Sequence, residues 1–527
     1  MIVLSRRAAL LGVGALVAGC ASRRTAATPE KRSYAISTNH PLASRAAEAI
    51  RLSGGGAYDM MIAAVAASWI VDPANSSPFG RIQGVNASSD RVDTIQAATR
   101  IRDVPGSTVP IPGTIAAIRL CAQSGRLRLP LAKVLAPAVA IARQGHAPSA
   151  AFRDILRTTA DALDPSLRNV YLDANGTSLP IVRNPALADL IETLGSAANN
   201  AAFWTALSER HSLPWAAQEL AGNEARFGHS LAAPIGSIGT LHTTSIIETW
   251  GPWTMLGISV LDRLKQSGAM TNAPRAVEAF AIAMILLLDR IPFRVGTLEP
   301  KMENPIIPSD PQSEAEVIAR RTVALLDGPP RMMWEAIGAT AYGTDAARTD
   351  DRNTTHFSVA DDTDMLAWTT SIGPWFGSRQ GVSGAALGYS YAMRSGQRYR
   401  DQTHDGTELS PIIAIDGGKP VLAIGAAGSE RILGALCWLF FERLCSTRPT
   451  SFGALIRSPR LFPKDGKLRV HEDMPRPVQD HLIARGFALQ RVAYDVTQHL
   501  GIAGLVERDR HGALSGASDP SSSGLAL

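Results

Sequence analysis

Residues 351–361 read D-R-N-T-T-H-F-S-V-A-D, and the character of the chain changes inside that stretch. Before it, residues 342–353 are polar with no apolar period, which reads as a linker. From Thr354 the sequence alternates. Thr355, Phe357 and Val359 fall on one face of an extended strand, and Thr354, His356 and Ser358 on the other. Asp361-Asp362-Thr363-Asp364 forms a turn, and Met365 to Ser371 reads as the return strand. Closing the loop between residues 360 and 365 places Thr354 opposite Ser371 by hairpin register.

The chain ahead of this hairpin reads as largely helical. The stretch from Asn39 reads as a helix that stops at Gly54-Gly55-Gly56, and a second ends before Pro73. Leu131 to Arg143 and Pro274 to Leu288 are helical; the second carries its proline at the start, where a missing N–H does no harm. Residues 303–312 (E-N-P-I-I-P-S-D-P-Q) read as loop. After the first hairpin, P-I-I-A-I-D-G-G-K-P-V-L-A-I-G forms a second that turns at Asp416-Gly417-Gly418. It runs through Gly425 to Glu430 into an apolar helix. A glycine-rich strand-to-helix junction leaves N–H groups unpaired, a natural anion or oxyanion site. A strand-turn segment around H-G-A-L-S-G-A-S-D-P follows, and the last Ser- and Gly-rich residues read as a tail.

At 527 residues the chain suggests several domains or one large layered unit. Its net charge of +5 is mild, and it has no basic run, so nucleic acid is not the expected partner. Residues 1–20 read as a signal segment: Arg6-Arg7, then an apolar run too short to span a bilayer. That run ends in Val17-Ala18-Gly19-Cys20, which looks like a bacterial lipobox and predicts lipidation of Cys20 and export to the periplasm. Residues 21–37 then read as a tether. The other cysteines are Cys121, Cys437 and Cys445. Eight residues of helix would hold Cys437 and Cys445 about 12 Å apart, too far for a disulfide. All three read as core residues.

Many short motifs, in order, resemble the γ-glutamyltranspeptidase family of N-terminal-nucleophile hydrolases. They include His40-Pro41-Leu42-Ala43-Ser44, Gly54-Gly55-Gly56-Ala57, Val71-Asp72-Pro73 with Ser76-Ser77, and Pro112-Gly113-Thr114. Asp289-Arg290, Thr354-Thr355-His356-Phe357-Ser358-Val359, Phe376-Gly377, Ser410-Pro411, Gly425 to Ile432 and Ala517-Ser518-Asp519-Pro520 complete the set. The resemblance implies an α/β (α+β) fold, a four-layer αββα sandwich. It also implies self-cleavage of the Asn353–Thr354 bond, dividing the chain into a large segment, 38–353, and a small one, 354–527, that stay associated. Thr354 would then be nucleophile and, through its freed α-amino group, base. The reference pKa of such a group, about 7.7–8.0, suits it to taking a hydroxyl proton near neutrality.

The family's other site roles map onto Ser371, bonded to the nucleophile, onto Gly428 and Ser429 as oxyanion donors, and onto Arg91, Thr407 and Ser390 as substrate-binding residues. Arg100 and Arg102 rival Arg91 for a substrate carboxylate. Gly373 and Met393 fall where the family has stronger side chains. Glu248 to Trp253 replaces a family segment, with Trp250 and Trp253 as core or pocket wall. The implied substrate is a γ-glutamyl amide such as glutathione. Alternatives are an amide acylase of different specificity and an inactive tethered scaffold. No cofactor or metal is implied; His40, His404 and His471 lack metal spacing, and His356 reads as a structural hydrogen-bonder.

Overall fold

The computed structural model describes residues 33–196, 200–293, 300–304, 307–328, 354–374, 376–448, 450–493 and 500–527. The signal segment with Cys20, the linker 342–353 and Asn353 lie outside them. In chain order the strands are β1 (Tyr34–Thr38), β2 (Arg81–Ser88), β3 (Val92–Ala97), β4 (Arg226–Gly228), β5 (Ser230–Ile235), β6 (Gly239–Thr244), β7 (Thr354–Asp361), β8 (Asp364–Ser371), β9 (Gly381–Val382), β10 (Ala385–Ala386), β11 (Ile412–Asp416), β12 (Lys419–Ala427), β13 (Leu461–Lys464), β14 (Lys467–His471), β15 (Leu489–Val492), β16 (Ile502–Arg508), β17 (Leu514–Ser518) and β18 (Leu525–Ala526).

One sheet runs β18-β1-β7-β8-β2-β3-β4 and the other β17-β16-β12-β11-β6-β5. Each takes strands from both sides of Thr354, so neither segment of the chain owns a sheet. On the outer face of the first sheet, Ile82, Phe357, Val359, Leu366 and Trp368 pack with residues of the helices Pro41–Leu52, Ala57–Val71 and Leu131–Gln144. On the outer face of the second, Ile412, Ile424 and Leu505 pack with the helices Gly251–Gln266, Ala273–Arg290 and Arg431–Cys445. Between the sheets lie mostly small side chains, among them Ala35, Val85, Ala360, Ala367, Ala423 and Val506, together with Met365, Ile413 and Leu514. The result is the four-layer αββα sandwich. The alternation from Thr354 decides the layering, because odd and even positions of β7 enter different cores.

The helix Ala57–Val71 is buried along its whole length between sheet and outer helices. It can be, because Asp59 meets backbone donors: Gly56 N–H at 2.9 Å, Arg128 N–H at 3.0 Å and Leu129 N–H at 3.0 Å. The second hairpin turns at Gly417 and Gly418 with φ of 54° and 76°, as its sequence predicts. Cys121 and Cys437 are buried, Cys445 is half-buried, and all are free thiols. Trp250 and Trp253 belong to the second sheet's core.

Several expectations need correction. The tether ends sooner than residue 37, because Tyr34–Thr38 forms β1 and pairs with β7. Residues 311 and 312 are not loop: Asp310 caps the helix Pro311–Asp327, and a proline in its first turn starts it. The C-terminus is no tail. Leu525–Ala526 pairs with β1, and Leu527 N–H bonds Ile36 O at 2.9 Å. That segment is anchored by Asp519, whose carboxylate meets Arg460 at 2.7 Å with both side chains buried.

Candidate active site

Thr354 opens β7 on the face that looks across to the second sheet. Its cross-strand partner is Ser371, the register the sequence predicts. Ser371 Oγ accepts from Gly373 N–H at 3.2 Å. Gly373 has φ 91°, and a Cβ there would lie 2.6 Å from Tyr389 Cβ, so this position admits no side chain.

β12 crosses behind β7 and brings the strand-to-helix junction to Thr354. Gly425 makes room, because a Cβ there would strike the His356 ring at 2.3 Å. His356 is fully buried, with Nδ1 bonded to Thr369 Oγ1 and Nε2 to Ser358 Oγ, each at 2.8 Å. Burial lowers its pKa to about 3. It stays neutral and links strands. At the end of β12, Gly428 and Ser429 adopt φ of 124° and 55°. Ser429 Oγ donates to Glu408 Oε1 at 2.8 Å, and Arg431 Nε donates to Gly428 O at 3.0 Å. The turn is thus tied from two sides at the head of a helix, where the first N–H groups lack intrahelical acceptors.

Thr354 and Gly428 line one cleft, with a volume of about 60 Å³. Phe152, Ile155 and Ile502 form apolar wall, and Ser521, Ser522 and Ser523 form a hydroxyl rim. Asn39, His40, Asp72 and Asn75 make its polar side. Sequence reasoning missed Asp72 and His40 as cleft residues, although both sit inside the motifs quoted above. The serines were missed because they were read as tail.

None of the expected substrate-binding residues is among those that line the cleft. Arg91 sits at the β2–β3 turn, half exposed and paired with Asp93 at 3.0 Å. Arg81, at the other end of β2, is the residue beside Ser371. The intervening strand, at 3.3 Å per residue, puts Arg91 about 23 Å away, so it is no clamp at this cleft. Arg102 pairs with Glu219 at 3.0 Å, and Arg100 bonds Gly222 O at 3.3 Å. Arg81 itself is buried and committed, to Asp405 at 3.3 Å, Gly406 O at 3.0 Å and Tyr389 O at 2.7 Å. Ser390 caps a short helix by accepting from Met393 N–H at 3.1 Å. Thr407 is buried, and its N–H bonds Glu248 O at 2.7 Å. Among the described residues no group of three or more metal-ligating side chains converges. None of the described helices is long and apolar enough to cross a membrane.

Known proteins resemble this chain in sequence and in fold. The chain is 23% identical over 518 residues to an acylase ACY 1 proenzyme of Pseudomonas sp. strain SE83, covering 86% of this chain and 87% of that protein. A second acylase ACY 1 proenzyme, from strain V22, is 23% identical over 524 residues, with the same coverage. The crystal structure of a cephalosporin acylase from Bacillus halodurans superposes with a TM-score of 0.71 at 15% identity, covering 94% of this chain and 96% of that one. At that identity the likeness is one of fold. The family model for gamma-glutamyltranspeptidase matches residues 84–527, and the chain belongs to that family of N-terminal-nucleophile hydrolases and transferases.

Proposed function

We propose that this chain cleaves its own Asn353–Thr354 bond and then uses Thr354 to hydrolyse or transfer the acyl group of small amides. The observation that carries the reading is the meeting of Thr354, at the very start of a buried strand, with the Gly428 turn in one cleft. In self-cleavage, Thr354 Oγ attacks the Asn353 carbonyl carbon and the C–N bond breaks, leaving an ester. The Thr354 amine, freed at that step, takes up the hydroxyl proton, and water then hydrolyses the ester to a carboxylate on Asn353 and the free Thr354 hydroxyl. In turnover, that amine takes the Oγ proton as Oγ attacks the substrate amide. The N–H groups of Gly428 and Ser429 receive the oxyanion; a backbone donor survives any non-proline side chain. The amine product leaves with the proton, and water or another amine releases the acyl group.

An acyl group without a free charge fits this cleft better than a γ-glutamyl group. A γ-glutamyl group brings an ammonium and a carboxylate, and burying either without a partner is costly. The described lining residues include no lysine or arginine, and Arg81 is spent on Asp405. The family match favours γ-glutamyl amides such as glutathione as the second reading. The names of the acylase relatives favour the first. Export with a lipid on Cys20 is part of the same proposal.

The test is a denaturing gel of the wild type beside Thr354→Ala. Two bands for the wild type and one for the variant support the nucleophile; an uncut wild type overturns it in favour of an inactive scaffold. On cut protein, faster turnover of neutral N-acyl p-nitroanilides than of γ-glutamyl-p-nitroanilide supports the acylase reading, and the reverse order supports the γ-glutamyl one.

A further inference from the structure

Asp72 ends the helix Ala57–Val71, and the steps above make no use of it. It lines the same cleft as Thr354. Its Oδ1 accepts from Asn75 Nδ2 at 2.7 Å. The Thr355 hydroxyl lies beside the same carboxyl and favours its ionised form, which ties Asp72 to the residue that follows the nucleophile. Burial pushes its pKa up to about 7, against the opposing pull of the Asn75 and Thr355 bonds. No cation contributes to that balance. The only other titratable side chain among the described lining residues is His40. His40 Nδ1 accepts from Leu42 N–H at 3.2 Å, and burial, with the neighbouring His146, lowers its pKa to about 4. His40 is therefore neutral where Asp72 titrates. The cleft residues from β12, from 149–155, from Ile502 and from 521–523 carry no ionisable side chain.

We propose that Asp72 is a positioning residue for the nucleophile: it fixes the start of β7 through Thr355 and faces the amino group that cleavage frees at Thr354. The assignment rests on the Thr354 reading above. It has a chemical consequence. A carboxylate facing that amine favours the ammonium and holds the amine's pKa up; without the carboxylate, the amine becomes a free base at lower pH. The Thr355 bond favours the ionised carboxyl, so its loss acts in the same direction.

The test is the pH profile of kcat/KM from pH 5 to 10 on cut protein, with the p-nitroanilide the wild type turns over best. Asp72→Asn keeps a hydrogen-bonding group and is expected to be cut, with its acid limb moved down by about half to one pH unit. Thr355→Val, which keeps the side chain's shape, is expected to move the limb the same way and to lower kcat several-fold. A cut Asp72→Asn with the wild-type limb overturns the assignment, because a purely structural carboxyl leaves the limb in place. If Asp72→Asn is not cut, Thr355→Val decides, and a wild-type limb there overturns it. An uncut, inactive wild type overturns the Thr354 reading and this one with it.

Discussion

The two ends of the β7–β8 hairpin each meet an aspartate, and the protein treats the two carboxyls in opposite ways. At the turn, Asp361 Oδ1 accepts from Thr363 N–H, Thr363 Oγ1 and Asp364 N–H, each at 2.8 Å. Its Oδ2 accepts from Ala57 N–H at 3.0 Å and meets Arg128 at 3.2 Å. Burial pushes its pKa up, but these donors and Arg128 outweigh it, and the net shift is downward. At the open end, Asp72 has Asn75 and Thr355 as partners and no cation, and burial wins. A saturated carboxylate anchors a turn; an undersupplied carboxyl at a cleft wall is available for chemistry. The arginines follow the same division. Those at the turn end and beneath the site are committed to acids, and the cleft itself has no cation among its described lining residues.

Substitutions at each end sharpen this contrast. The largest effect belongs to Thr354→Ala, which is expected to lower turnover by more than about a thousandfold and leave the melting temperature of the uncut chain close to that of an uncut precursor. Asp361→Ala is expected to cost about 2–4 kcal/mol at neutral pH, because it leaves the Ala57, Thr363 and Asp364 N–H groups without their acceptor. A depressed pKa contributes stability above the ordinary carboxylate range, so this penalty shrinks as pH falls below that range and through the folded value; urea unfolding at pH 7 and at about pH 2.5 checks it. Asp72→Asn has the opposite sign. A raised pKa contributes stability that is whole below about pH 4 and is lost as pH rises through about 7. The variant should therefore gain about 1–3 kcal/mol on the wild type between pH 4 and pH 8, with cleft water screening part of the shift. Gly425→Ala pushes a methyl into the His356 ring and should cost about 1–3 kcal/mol by overpacking, read as a lower melting temperature. Arg91→Ala should change stability by less than about 0.5 kcal/mol and leave KM unaltered. A raised KM in Arg91→Ala would break the separation between the two ends.

Much of this architecture is legible along the chain wherever the signal is local. The register of Thr354 on Ser371 follows from loop length alone, and the two faces of β7 follow from alternation. The paired helices around Gly54-Gly55-Gly56 follow from breakers and caps. Elsewhere one local signal misleads. The Ser- and Gly-rich C-terminus has the composition of a tail, yet Arg460 holds Asp519 and lays the last strand on β1. Arg91 stands near the expected motif by sequence distance, but a hairpin carries it to the wrong end of its strands. Asp72 sits in a recognisable motif, yet its link to Thr355 joins residues far apart in the chain.

The layered fold came only through a resemblance to a family; the sequence by itself determined the hairpin, the threonine at its start and the glycine junction after the second hairpin. These rest on period, turn chemistry and spacing, which act between neighbours. The tertiary structure alone decided which charges are spent, which hydroxyls reach the cleft and which aspartate holds a proton near neutrality. Those properties depend on burial and on partners brought together from distant segments, and no local pattern encodes a desolvation cost.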